Sequence, residues 1–257
     1  MLVRADDAGS CGASNEGCLE ACLNGIARSV EVMMPCARVT EAATLFRERP
    51  DIDVGIHLTL TSEWDAVKWR PLTDAPSLVD REGWFLPLLQ DRPDDDRPSL
   101  CRVAWKIDEI AAELRTQIAM GVNLFPHASH VSCHMVRHLA DFDPRLGDIV
   151  SGLCAEFGLL DDPFGHGLPR FSPYPAYPRD SRARVSSFVA ALQSLASGTH
   201  IFIDHPAVDS GELAAMGHPG YEDVRADRTS CLETLISPEV RREIDRLGID
   251  LISYRDL

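Results

Sequence analysis

The chain has 257 residues, 45% of them hydrophobic, which is enough for a sizeable core and excludes both intrinsic disorder and a small disulfide-stapled module. Its formal net charge of −15 argues against nucleic acid and anionic membrane surfaces as partners. Eight cysteines are scattered without a CxxC pair, so they read as small buried hydrophobes in a reducing compartment rather than a zinc knuckle. No basic stretch leads into an apolar leader and no run approaches a membrane span, so the expected location is cytoplasmic.

Taken in order, strand-like and helix-like stretches alternate. Met1-Leu2-Val3-Arg4-Ala5 reads as a strand running into Asp6-Asp7-Ala8-Gly9. A helix over 15–24 follows, with Ser14 as N-cap, Cys18, Leu19, Cys22 and Leu23 on one face and Gly25 as stop. Residues 29–34 form a second strand, Thr40 caps a helix through Phe46, and 54–60 form a third strand carrying His57. From 61 to 99 the pattern is broken by Pro71, Pro76, Pro87, Pro93 and Pro98. With Trp64, Trp69 and Trp84, this insertion reads as a lid over a site, an oligomer contact, or a surface excursion with its own aromatic cluster.

A long amphipathic helix is predicted over about 100–120, with Val103, Ile107, Ile110, Leu114 and Ile118 on one stripe. Residues 129–134 are a strand, 145–157 a helix, 158–160 a short strand, 185–195 a helix, 199–204 a strand, 238–247 a helix and 249–253 a last strand. About seven parallel strands with intervening helices predict an α/β fold, a (β/α) barrel in one domain over 1–257.

In such a barrel the functional side chains gather at the carboxyl ends of strands. Asp6, Asp7, His57, His134 and His205 fall at four such ends. Asp7, His57 and His134 offer one carboxylate and two imidazoles, a metal-ligand set that suits zinc, iron, manganese, or magnesium with water. Asp6 is then a general base, and His205 protonates a leaving nitrogen or stabilises an oxyanion. The expected chemistry is hydrolysis by a metal-dependent enzyme. Plainer readings exist for each residue: a DD pair as a turn or helix cap, His57 as a satisfied core histidine, His205 before Pro206 as a strand end. His130 and His134 share a face on a strand, His127 and His138 lie outside the ligand set, and spacing assigns nothing to His166, His200 or His218. Arg170, Arg179, Tyr174 and Tyr177 are candidates for the mouth of the site.

These residues resemble the YdjC-like (ChbG-type) carbohydrate deacetylases. The family's DDFG opening is similar to Asp6-Asp7-Ala8-Gly9, and its GLHL-L-T motif to Gly55-Ile56-His57-Leu58-Thr59-Leu60-Thr61. Its H-DSHHH-H segment corresponds to residues 130–138, and its late HP motif to His205-Pro206. The resemblance runs along essentially the whole chain in order. It implies a distorted, glycoside hydrolase/deacetylase-like (β/α) barrel and removal of an N-acetyl group from an amino sugar or small acetylated oligosaccharide. It also implies one divalent metal ion, magnesium or zinc, on Asp7, His57 and His134, with Asp6 as base and a homodimer as the assembly. Three departures stand out: Ala8 for Phe, Ser132 for Asp, and Met135-Val136 for two histidines. They point to a substrate other than chitin disaccharides, and the lost carboxylate at 132 removes a partner for His134. Two alternatives use the same residues: a metal-dependent sugar isomerase or epimerase, and an inactive carbohydrate-binding homologue.

Overall fold

Five parallel strands carry the fold, and every residue in them is buried. In the computed structural model, which describes residues 1–174 and 180–257, they are β1 (Leu2–Ala8), β2 (Ser29–Val32), β3 (Asp53–Leu58), β4 (His130–Cys133) and β5 (Ile201–Asp204). They form one sheet in the order β4-β3-β2-β1-β5, curled into a half-barrel.

Strands buried on both faces usually read as continuous apolar runs, as β5 does with Ile201-Phe202-Ile203, yet β1 to β4 alternate. Val3, Ala5, Val30, Val32, Val54, Ile56, Leu58 and Val131 belong to the hydrophobic core. The intervening positions are polar, and register aligns them in rows: Arg4 with Ser29, Glu31 with Gly55 and His130, His57 with Ser132. Because side chains alternate with period two, these rows share one face. The concave side of the sheet is therefore lined by charged and polar groups that must satisfy one another.

Among the described residues seven α-helices accompany the sheet: α1 (Gly12–Leu23), α2 (Val39–Phe46), α3 (Ile107–Leu124), α4 (Pro144–Phe157), α5 (Ser181–Leu192), α6 (Val224–Leu235) and α7 (Pro238–Leu247). No helix among them is long and apolar enough to cross a membrane. Helix α7 matches its predicted bounds because Ser237 caps Glu239 and Val240 and Gly248 takes the left-handed conformation that stops it. Helix α1 starts earlier than expected: the Cys11 thiol, not Ser14, accepts the capping bond, from the Ser14 amide. Helix α3 starts later, because Leu100–Arg102 is a separate 3-10 turn. Helix α6 has no counterpart among the predicted elements; Arg225, Asp227, Arg228 and Thr229 interrupt any apolar stripe.

Among the described residues the expected seven strands are corrected to five. Residues 158–160 contribute one bridge, Leu160 to His130, because left-handed Gly158 still belongs to the end of α4. Residues 249–253 likewise give a single bridge, Ile252 to Leu2, before Ser253 caps the terminal 3-10 turn.

The long segment between β3 and α3 has little regular structure, yet Trp64, Trp69, Leu78, Phe85 and Leu88 are buried. It is tied to α3 by Glu113, which accepts from the Leu72 and Thr73 amides, and by Glu109, which accepts from the Ser77 amide. The Trp69 indole donates to the Thr61 carbonyl at 2.6 Å. The segment thus buries Trp64, Trp69 and Phe85 and, at Glu63 and Trp64, reaches the cavity at the strand ends.

Candidate metal centre

Two consecutive strand residues normally point to opposite faces, so Asp6 and Asp7 need a backbone irregularity to serve one site. β1 supplies it: the register with β2 slips between Ala5 and Ala8, and Asp7 adopts φ +71°. Bulges and left-handed non-glycine residues of this kind re-aim side chains at functional sites, and Asp tolerates the conformation better than most residues.

The two carboxylates then meet different environments. Arg4, two residues back on the same face, grips Asp6 through both oxygens at 2.7 and 2.8 Å and also binds Asp162 and Tyr254. Burial pushes the Asp6 carboxyl up to about 6 against the pull of Arg4. For Asp7 burial acts upward too, but His205, Arg228 and His134 outweigh it and hold the carboxyl well below its ordinary range. Arg228 donates to Asp7 Oδ2 at 2.7 Å. The other oxygen, Oδ1, is buried and receives no hydrogen bond. His134 Nδ1 lies 3.3 Å and His57 Nε2 3.8 Å from that orphaned oxygen. Neighbouring acids whose environments drive their pKa values apart mark separate roles.

His57 is directly opposite Ser132 across β3 and β4. Ser132 donates to Glu31, so its oxygen accepts from His57 Nδ1–H at 2.7 Å, and the network assigns the free lone pair to Nε2, facing Asp7. Burial foremost keeps the His57 pKa well below its ordinary value, leaving a neutral ring suited to ligation. Glu31 also accepts from Ser29 at 2.8 Å and pairs with His130 Nε2 at 2.8 Å. Glu31 and His130 sit two strands apart and meet over Gly55, where a Cβ would come within 2.1 Å of the carboxylate. The Ser132 departure is thereby resolved: it is His57, not His134, that it orients, and the carboxylate lies one bond farther away, on Glu31.

His134, just past β4, faces Asp7 Oδ1 with Nδ1 and is hydrogen-bonded to Glu63 through Nε2, the latter at 3.0 Å. Burial works against its charge, but Glu63 and Asp7 prevail and push its pKa up to about 10. One ligand atom from each of Asp7, His57 and His134 fits within 4.8 Å of the others. The orphaned oxygen and two inward nitrogens with engaged outer nitrogens fit a cation bound by one carboxylate and two imidazoles. His138, Asp161 and His166 form a second such group. There, however, His138 Nδ1 accepts from the Ala140 amide, which puts the ring proton on Nε2, facing Asp161 at 3.0 Å. That cluster is a closed hydrogen-bonded set.

The centre opens into a cavity of about 370 Å³, lined by polar groups and by Trp64, Phe164 and Tyr221. His205 stands on its wall, 41% exposed at the side chain and outside the three-residue group. Burial opposes its charge, while Asp7 and Asp204 raise its pKa, an attraction that solvent screens at this exposure. Arg170 lines the cavity and Tyr174 packs on Phe188 and Phe202 instead; Tyr177 and Arg179 lie outside the described residues. Four residues of the site were not expected: Arg4, Glu31, Glu63 and Arg228. For Arg4 and Glu31 a signal existed, a charged side chain inside an otherwise apolar strand.

The model of the family described as YdjC-like protein matches residues 1–246. A Yersinia enterocolitica protein named chitooligosaccharide deacetylase is 29% identical, over 100% of this chain and 98% of its own length. One of the same name from Escherichia fergusonii is 28% identical, again over 100% of this chain and 98% of the relative. A crystal structure from Enterococcus faecalis, of a protein provisionally named for cellobiose-phosphate cleavage, superposes with a TM-score of 0.75 at 22% identity, covering 99% of this chain and 97% of that one. That likeness concerns the fold alone.

Proposed function

The chain belongs to the YdjC-like family, and from that premise we propose that it is a metal-dependent carbohydrate deacetylase, hydrolysing the N-acetyl group of an amino sugar or small acetylated oligosaccharide. The names of the two bacterial relatives support the reaction class. The observation that carries the metal is the buried, unbonded Asp7 Oδ1 facing His57 Nε2 and His134 Nδ1. Two nitrogen donors with one oxygen favour zinc over magnesium.

Bound there, a divalent cation supplies Lewis acidity, polarising the amide carbonyl and acidifying water. Asp6, poised by burial with a pKa of about 6, accepts the proton that water loses as its oxygen adds to the carbonyl carbon. Arg4 keeps that carboxylate in one orientation. His205 passes a proton to the amide nitrogen as the C–N bond breaks, so that the sugar leaves as a free amine and the acyl group as acetate. A cavity of about 370 Å³ is of the size that small ligands occupy, and its mixture of aromatic and polar walls suits a sugar ring. The family likeness further proposes a homodimer, which sedimentation of the purified chain tests.

The deciding experiment strips the protein with a chelator, restores zinc or magnesium, and measures acetate release from N-acetylated chito-oligosaccharides. Activity is expected to vanish and return with the metal, and Asp6→Asn to lose roughly 100-fold or more while still binding metal. Full turnover without metal, or in the Asp6→Asn protein, overturns the mechanism; a product of unchanged mass points to isomerisation instead.

A further inference from the structure

We infer that Glu63 is a positioning residue for the metal centre, delivered to it by the long segment between β3 and α3. The inference rests on the metal reading above and deepens it. His134 has two ring nitrogens: Nδ1 faces Asp7 at 3.3 Å, and Nε2 meets Glu63 Oε2 at 3.0 Å. Both side chains of the latter pair are buried, at 3% and 4% exposure. A buried carboxylate is costly unless it is paired. Beyond its backbone, held by Arg97 through the Glu63 carbonyl, the carboxylate has His134 as its hydrogen-bonded side-chain partner.

The geometry gives that carboxylate a specific job. A carboxylate on the outer nitrogen fixes the ring's proton there and frees the inner lone pair, and it makes the imidazole a stronger donor. His57 has a weaker version, with the Ser132 hydroxyl in that position. The two histidines are thus oriented by different parts of the chain: His57 by the neighbouring strand, His134 by the inserted segment. The segment holds Glu63 in place from several sides: the Ser62 amide donates to Leu86, the Asp65 amide to Gly217, and the Trp69 ring packs edge-on to His134. It serves as part of the metal centre as well as its cover.

The test uses cobalt(II) as the probe, titrated into the metal-stripped full chain with a competing chelator, and reads both affinity and the visible absorption of the bound ion. Glu63→Gln is expected to weaken cobalt binding 10- to 100-fold and to shift the absorption, with far-UV circular dichroism unchanged. Where that variant does not fold, Arg97→Ala loosens the same loop without touching the carboxylate and is expected to weaken binding several-fold. Native cobalt affinity and spectrum in a folded variant overturn the inference. Failure of the wild-type chain to bind cobalt, zinc or magnesium overturns the metal reading instead, so the two failures are distinct.

Discussion

Ser132→Ala removes one oxygen from the middle of the buried network, and its effect follows from what that oxygen touches. The hydroxyl accepts from His57 Nδ1–H at 2.7 Å and donates to Glu31. Alanine leaves the imidazole N–H buried with no partner, a cost of about 1–3 kcal/mol. It also takes one charge-assisted bond from Glu31, although Ser29 and His130 still hold that carboxylate. The expected loss of stability is about 2–4 kcal/mol, which for a chain of this size lowers Tm by roughly 5–15 °C. The freed ring no longer keeps Nε2 directed at Asp7, so zinc affinity is expected to fall about 10- to 100-fold. Thermal unfolding in chelator measures the first effect, and competitive zinc titration the second. A variant within about 0.5 kcal/mol of wild type and with unchanged zinc affinity would refute the relay from Glu31 through Ser132 to His57.

Three further outcomes are expected. The Asp6 carboxyl is pushed up to about 6, so its base form is lost as pH falls through that value. kcat/KM should drop about tenfold per unit below it, and a neighbouring cation shifts this limb only toward lower pH; activity that climbs as pH falls from 7 to 5 contradicts the assignment. In the metal-free protein His134, with its pKa pushed up to about 10, is charged at pH 7.5, so metal uptake should release about one proton. Titration calorimetry in buffers of different ionisation enthalpy reads that proton, and buffer-independent heat counts against it. Gly55→Ala places a methyl 2.1 Å from Glu31 and 2.4 Å from His130 Nε2, and should cost about 3 kcal/mol or more or abolish folding. Gly152→Ala, in the middle of α4 with nothing within 4 Å of its new Cβ, should instead stabilise by about 0.5–1 kcal/mol. Denaturant unfolding of the pair distinguishes packing from propensity.

Much of the framework was legible in the chain because local rules govern it. Strand cores of Val, Ile and Leu flanked by caps and stops located β1 to β5 to within a few residues, and Ser237 and Gly248 marked the ends of α7. The strand-end rule picked out Asp7, His57 and His134, whose candidate ligand atoms the fold brings within 4.8 Å of one another. Where expectation failed, the cause was also local. Two apolar runs near 160 and 250 were too short, and too close to a helix stop and a terminal turn, to pair for more than one residue. Helix α6 leaves no periodic signal in the sequence because its buried face includes Arg228, Ser230 and Thr234, so hydrophobic periodicity does not describe it.

The alternation of polar and apolar residues in β1 to β4 was visible in the chain, but its meaning was not. Such a pattern ordinarily signals one face in water. Here the curl of the sheet turns that face inward, and Arg4, Asp6, Glu31, His57, His130 and Ser132 find their partners in each other. Residue order alone was enough to nominate candidate ligands, because strand ends and side-chain chemistry are short-range properties. Which nitrogen faces inward, which aspartate is gripped by Arg4 and which by Arg228, and how Glu63 arrives from a loop 71 residues before His134 depend on contacts between distant segments. Those contacts exist only after burial has removed water as the competing partner.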